Sequence, residues 1–217
     1  MTATGATRPP ARQRNAEKTR ASILNAATRE FGAHGFSGAR IERIAKQAKC
    51  NIRLLYHYFG NKQALYLAVL EGAYADLRAR QAELSLDDSD PIGAIETLLR
   101  FNYAYFAKNP YFEGLLRAEN MMRGKFVNQS DSVPRDAARL REKVERIVAS
   151  GIERGQIRPD VDVVQLYVTI TALARFHLSN SYSLSAMLGT DLNSAEWRNE
   201  RLEHAVELLR EWLAARG

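Results

Sequence analysis

The chain has 217 residues, 46% hydrophobic and 26% charged, enough apolar content for one large core or two small ones. Its one cysteine, Cys50, excludes an intramolecular disulfide and a thiolate metal cluster. The net charge of +6 is unevenly placed: residues 1–62 hold twelve Lys or Arg against three Glu (+9) and the other 155 are net −3, which points to a polyanion bound at one end or to a merely solvated basic face.

Residues 1–15 carry Pro9, Pro10, Arg8, Arg12 and Arg14 but almost no bulky apolar side chain, and read as a flexible basic arm. From Glu17 the pattern turns helical, with Ile23, Leu24, Ala27 and Phe31 at spacings of three and four until Gly32 and Gly35. A short amphipathic helix follows, with Ile41, Ile44, Ala45 and Ala48 on one face. After a break at Lys49, Cys50 and Asn51, a third helix covers residues 52–59. Gly60, Asn61 and Lys62 punctuate, and a longer helix carries Leu65 and Leu70 past Leu77. Residues 87–91 form a turn and a helix start, with Pro91 in the first turn, and Asn109 and Pro110 end that helix. Further helices are expected over 111–122, from 134 to near 155, from 160 to about 183, and from 195 to about 215, with a polar loop at 124–133. No segment alternates with period two. The expected fold is all-α, about nine helices: a three-helix domain at 16–62 and a six-helix domain at 63–217.

The last two helices are unusual. Val163, Leu166, Val168, Ile170, Ala174 and Phe176 surround most of one, which predicts burial on several sides. Leu202, Ala205, Val206, Leu209, Trp212 and Leu213 stripe the other. Either they close the monomer core or, as favoured here, they pair with a second copy to form a homodimer.

Residues 40–59 follow the plan of helix, tight turn and second helix. Asn51 is placed to cap the second helix. With Leu55 and Phe59 turned inward, Ile52, Arg53, Tyr56 and His57 face outward as a reading surface. Gly35-Phe36, residues 41–48, and above all the run from Leu55 to Lys62 with Ala64-Leu65 resemble the DNA-binding domain of tetracycline-repressor (TetR) family regulators. The resemblance covers about residues 17–70. It implies a homodimer that binds a double-stranded DNA operator, usually to repress, and leaves it when a small molecule enters the C-terminal domain.

Carried over by position, the resemblance puts Arg40 near a phosphate, Arg53 and His57 at base edges, and Tyr56 and Lys62 on the backbone, while Ile52 is suited to a thymine methyl. Arg43 and Asn51 complete the expected DNA-binding set. Lys49-Cys50-Asn51 stands where the family usually has Gly-Val-Ser, so Lys49 is strained if its position needs positive φ, and Cys50 fills the valine's small site.

Phe101, Tyr105, Phe112, Met121, Met122 and Phe126, with Phe176 and His177 from a later helix, form an aromatic and methionine-rich group expected to line a pocket for a small apolar or aromatic ligand; ordinary core is the alternative. No metal-ligand spacing, nucleotide fingerprint or catalytic constellation is present, so neither a cofactor nor enzymatic activity is expected. The apolar stretch 166–174 is about half a membrane span and no secretory signal is recognisable, so a soluble cytoplasmic regulator is expected. The rival function is a DNA-binding regulator or nucleoid-associated protein whose C-terminal domain binds a protein partner.

Overall fold

The computed structural model describes residues 11–215, with side chains from residue 15 on. The chain divides into two compact units. The first takes the described residues up to Leu70 together with Gly114–Gln129, and the second takes Glu71–Glu113 and the chain from Ser130 onward.

In the first unit, α1 (Ala11–Gly38), α2 (Ile41–Gln47) and α3 (Ile52–Phe59) precede the opening turns of α4 (Lys62–Ala82). Of the expected arm, residues 1–10 lie outside the described residues. From Ala11 the chain is already helical, because Ala, Arg and Gln are strong helix formers and need no buried face to continue the helix behind them. Ile23, Ala27 and Phe31, four residues apart, are fully buried. Near its end α1 kinks at Gly35 (φ 65°, ψ −179°), a backbone state essentially reserved for glycine.

The remainder of this unit is Gly114–Gln129, which takes in α6 (Pro110–Met121) from Gly114 on, the turn that follows it and a 3₁₀ turn at Val127–Gln129. Gly114 lies against the Gly32 carbonyl so closely that any Cβ would collide with it. Phe31, Phe36, Tyr66 and Phe126 form one ring cluster, with neighbouring centroids at 4.8–5.3 Å for Phe31–Tyr66, Phe36–Tyr66, Phe36–Phe126 and Tyr66–Phe126.

In the second unit, α5 (Pro91–Lys108) packs against α7 (Ser132–Glu153), α8 (Val163–Ser179) and α10 (Ala195–Leu213). Ile95, Leu98, Leu99 and Phe106 of α5 are buried among Val144, Ile147, Leu166, Ile170, Ala205 and Leu209. Asp90, Asp162 and Ser194 cap α5, α8 and α10 by accepting from Gly93, Gln165 and Trp197 amides. The helical run expected from 160 to about 183 starts behind the Asp162 cap and is divided at Asn180 (φ −118°, ψ 9°), beyond which α9 (Ser181–Leu188) follows. The described residues thus form ten α-helical segments, and the only sheet-like pairing among them is the bridge between Ile157 and Ala214. No helix among them is long and apolar enough to cross a membrane.

Burial around α8 is one-sided in the single chain. Leu166, Ile170, Ala174 and His177 are buried, whereas Val164, Val168 and Phe176 are each more than half exposed. On α10, Leu208 and Trp212 are likewise exposed.

Candidate nucleic-acid interface

The α2–α3 pair is wedged apart by Ile41, Ile44, Ala45, Ala48, Leu55 and Phe59, all buried. Ser22 Oγ donates to the Ala48 carbonyl at 3.2 Å, and the Arg20 guanidinium lies 5.3 Å from the Phe59 ring centroid, so α1 supports both helices. The tight turn between them is a Schellman motif. The Cys50 amide donates back to the Ala45 carbonyl at 3.0 Å and the Lys49 amide to the Lys46 carbonyl at 3.2 Å. This geometry holds Lys49 at φ 54°, in the left-handed region, so the condition under which a lysine is strained there is met. Cys50 follows, half-buried, and burial pushes its thiol pKa up, away from the reactive thiolate.

Asn51 caps α3 as expected, its Oδ1 accepting from the Leu54 amide at 2.7 Å. On α3, Ile52, Arg53, Tyr56 and His57 are exposed together, the outward face that the inward turn of Leu55 and Phe59 requires. Arg53 makes no hydrogen bond or ion pair among the described residues, so its guanidinium is free for an outside partner. Beyond α3, Gly60 (φ 75°, ψ −63°) centres a γ-turn in which the Asn61 amide donates to the Phe59 carbonyl at 2.9 Å. Asn61 then caps α4 through the Ala64 amide.

Three expected DNA contacts prove to have internal duties. Lys62 donates to the Ala39 carbonyl at 2.7 Å with its ammonium 4.9 Å from the Phe36 ring centroid. Arg43 donates to Glu30 and to the Gly38 carbonyl. Arg40 is exposed at the start of α2, its amide donating to Glu30 at 2.9 Å. Burial alone would raise the Glu30 pKa, but the hydrogen bonds from Arg43 and Arg40 and the charges of Arg43 and His34 outweigh it and hold the carboxyl below its ordinary range. Sequence reasoning gave Glu30 no role; its place as one of only three acids in a strongly basic segment was the available signal.

Of the eight expected ligand residues, three belong to the first unit and five to the second. Phe126 belongs to the ring cluster of the first unit, Met121 is almost wholly exposed, and Met122 is half-buried in that same unit. In the second unit, Phe101 stacks near Tyr105, Tyr105 donates to Asp76 at 2.8 Å, and Phe112 packs on Tyr74, Tyr105 and Phe106. Phe176 is exposed. His177 is buried against Tyr103, ring centroids 4.7 Å apart, and burial together with Arg201 and Arg198 lowers its pKa to about 4. A cavity of about 280 Å³ lies elsewhere in this unit, between α4 and α7. Among the described residues no group of three or more His, Cys, Asp or Glu is arranged to hold a metal ion.

Residues 23–69 match the family described as bacterial regulatory proteins, tetR family, and residues 91–209 match the tetracyclin repressor-like C-terminal domain. The chain is 35% identical over 197 residues to the HTH-type transcriptional repressor NicS of Pseudomonas putida, covering 91% of this chain and 93% of that one. It is also 35% identical over 165 residues to the HTH-type transcriptional repressor SCO4008 of Streptomyces coelicolor, covering 75% and 80%. The crystal structure of SCO4942 from Streptomyces coelicolor superposes with a TM-score of 0.68 at 24% identity, over 91% of this chain and 99% of that one, a likeness of fold.

Proposed function

The chain belongs to the tetR family of bacterial regulatory proteins, and from that premise we propose that it is a homodimeric repressor that a small molecule releases from its operator. As a member of that family it regulates transcription by binding DNA through its helix-turn-helix. The observation that carries the finer reading is the outward face of α3. Arg53 and His57 stand exposed together there, Arg53 with no internal partner among the described residues, on a scaffold in which Arg43 and Lys62 are fastened internally. Arg53 suits guanine N7 and O6 by a two-pronged contact, His57 a neighbouring base edge, and Tyr56 and Arg40 the phosphates that set register.

Two such helices, one per protomer, address half-sites roughly 34–36 Å apart. The exposed apolar faces of α8 and α10 support pairing of two copies through these helices. Release requires a ligand that binds better to a conformer whose reading heads no longer match that spacing. Since α4 and α6 each supply residues to both units, they are the continuous chain through which such a change passes.

The test is a titration of the full chain onto duplexes from upstream of its own gene and onto shuffled duplexes, repeated across salt. Expected is a clear preference for the native sequence and a linear fall of log affinity with log salt. Equal affinity for both duplexes would sink the reading.

A further inference from the structure

The cavity between α4 and α7 has a floor of Ala75, Ala79, Ala82 and Leu140, the three alanines lying on one face of α4 at helical spacing. Its rim is cationic: Arg78, Arg139 and Lys143 stand against one carboxylate, Asp136. That sign runs against the background, because the chain beyond residue 62 is net negative. At about 280 Å³ the cavity matches a compact metabolite and not an extended one.

Arg78 is the informative residue. Its Nη1 donates to Gln81 Oε1 and its Nη2 to the Tyr167 hydroxyl, both at 2.7 Å, and Gln81 is held in turn by Asn102 at 2.7 Å. Gln81 and Asn102 are both buried, so the guanidinium is aimed by a fixed polar chain. Each of these partners is neutral. Among the described residues Arg78 has no acidic partner, Lys143 binds only the Leu84 carbonyl at 3.2 Å, and Arg139 approaches Asp136 no closer than 3.9 Å. A half-buried guanidinium normally finds a carboxylate, since an uncompensated charge away from water is costly. Two of its five N–H donors are occupied. The remainder keep the flat fork that matches a carboxylate.

We propose that this cavity binds a small carboxylate-bearing molecule, its carboxylate on Arg78 and Lys143 and its apolar body on the alanine floor. The proposal rests on the reading that a small molecule controls DNA binding, and it replaces the neutral ring compound that the aromatic content alone favours. Those aromatic rings pack on one another or lie exposed, whereas the space and the unmatched charge occur together here.

Thermal unfolding of the full chain is measured with benzoate and hexanoate, with their neutral counterparts benzamide and hexanamide, and with inorganic phosphate. An upward shift of the midpoint by a carboxylate but not by its amide is expected, and Arg78→Gln abolishes it while leaving ligand-free DNA affinity unchanged. Should Arg78→Gln fail to fold, Arg78→Lys and Lys143→Gln carry the test, each weakening the shift. Equal shifts from the amides, an equal shift from phosphate, persistence of the shift in the variants, or no shift from either carboxylate would each overturn the proposal. Titrating the carboxylate onto the protein–DNA complex separates this site from the reading it rests on. Arg78-dependent binding without release leaves the site standing and overturns ligand control, and release by a neutral compound with no carboxylate shift overturns the site alone.

Discussion

Oε1 of Glu30 lies 2.7 Å from Nε of Arg43 and also accepts from the Arg40 amide at 2.9 Å, so a single buried oxygen on α1 holds both the entry to α2 and a side chain along it. Nη2 of the same guanidinium lies beside that oxygen and donates to the Gly38 carbonyl at 2.9 Å. Two residues expected on the DNA are therefore also the fasteners that orient α2, and through the wedge of Leu55 and Phe59 they orient the reading helix.

Glu30→Gln should lower stability by about 1.5–3 kcal/mol, the range for a hydrogen bond to a charged group. DNA affinity should fall with it, although Glu30 itself would repel phosphate. The pH dependence has a definite sign. Because the folded carboxyl titrates below its ordinary value, its contribution is fully present above the ordinary glutamate range near ~4.3 and is lost as pH falls through the lower folded value. Thermal midpoints from neutral to acid pH should show that loss in the parent and a shallower acid limb in the variant. Identical limbs would remove Glu30 from the account.

Lys49 sits at φ 54° in a Schellman turn, where glycine is the favoured residue. An L-residue there costs about 1–2 kcal/mol relative to its right-handed alternatives. Lys49→Gly should therefore raise stability by about 1 kcal/mol, while Lys49→Ala, which keeps the Cβ, should not. Chemical denaturation of both variants checks this, and a gain shared by the two would point to removal of charge repulsion and not to backbone relief.

The first unit was legible because its signals are local. Ile41, Ile44 and Ala45 repeat at helical spacing, Asn51 is a capping residue directly before a helix, and Lys49 stands in the turn where strain depends on whether φ is positive. What stayed hidden depends on partners distant in sequence. Nothing near Lys62 announces the Ala39 carbonyl, and nothing near Arg43 announces Glu30. Phe126 was grouped with Phe112 by proximity in the chain, yet the carboxylate of Glu119 turns the backbone after α6 by accepting from the Phe126 and Val127 amides, and Phe126 packs on Tyr66. The cavity escaped notice because alanines signal nothing until an opposing helix is in place. Asn180, between Ser179 and Ser181, reads as one more polar residue within the helical run expected from 160 to about 183.

His177 carries a second pH dependence, in a different window. Its two ring nitrogens lack partners among the described residues, and its folded pKa of about 4 lies below the ordinary ~6.5. Below ~6.5 the unfolded chain takes up a proton that the folded chain refuses. Stability should then fall by about 1.4 kcal/mol per pH unit until pH 4, where the loss levels off. His177→Phe keeps a ring against Tyr103 and removes the titration, so it should flatten this slope and at neutral pH be neutral or stabilising by about 1 kcal/mol. A slope unchanged in the variant would assign the dependence elsewhere.

Val164, Val168, Ala172 and Phe176 succeed one another at four-residue spacing on the open side of α8, and three of these positions are exposed large hydrophobics. Phe176→Asp places a charge in that stripe, and sedimentation should show the variant as a monomer where the parent is a dimer. Operator affinity should then fall by on the order of 10²-fold or more, because the second reading head no longer benefits from the first. A variant that stays dimeric would move the interface off this face.

Arg53 and Lys62 separate reading from fastening. Arg53 is exposed with no internal partner, so Arg53→Ala should leave the unfolding midpoint unchanged and relax sequence preference at one base position by about 1–3 kcal/mol. Lys62 ties the first residue of α4 to the Ala39 carbonyl and lies over Phe36. Lys62→Ala should cost about 1–2 kcal/mol of stability from a hydrogen bond and a cation–π contact, and should weaken binding to every duplex by the same factor. Competition binding on operator and random DNA, with denaturation run on the same samples, distinguishes the two. If Arg53→Ala lost affinity equally on both DNAs, the residue would be gripping phosphate. If Lys62→Ala weakened binding with no change in stability, its ammonium would be serving DNA directly and the tie to Ala39 would be incidental.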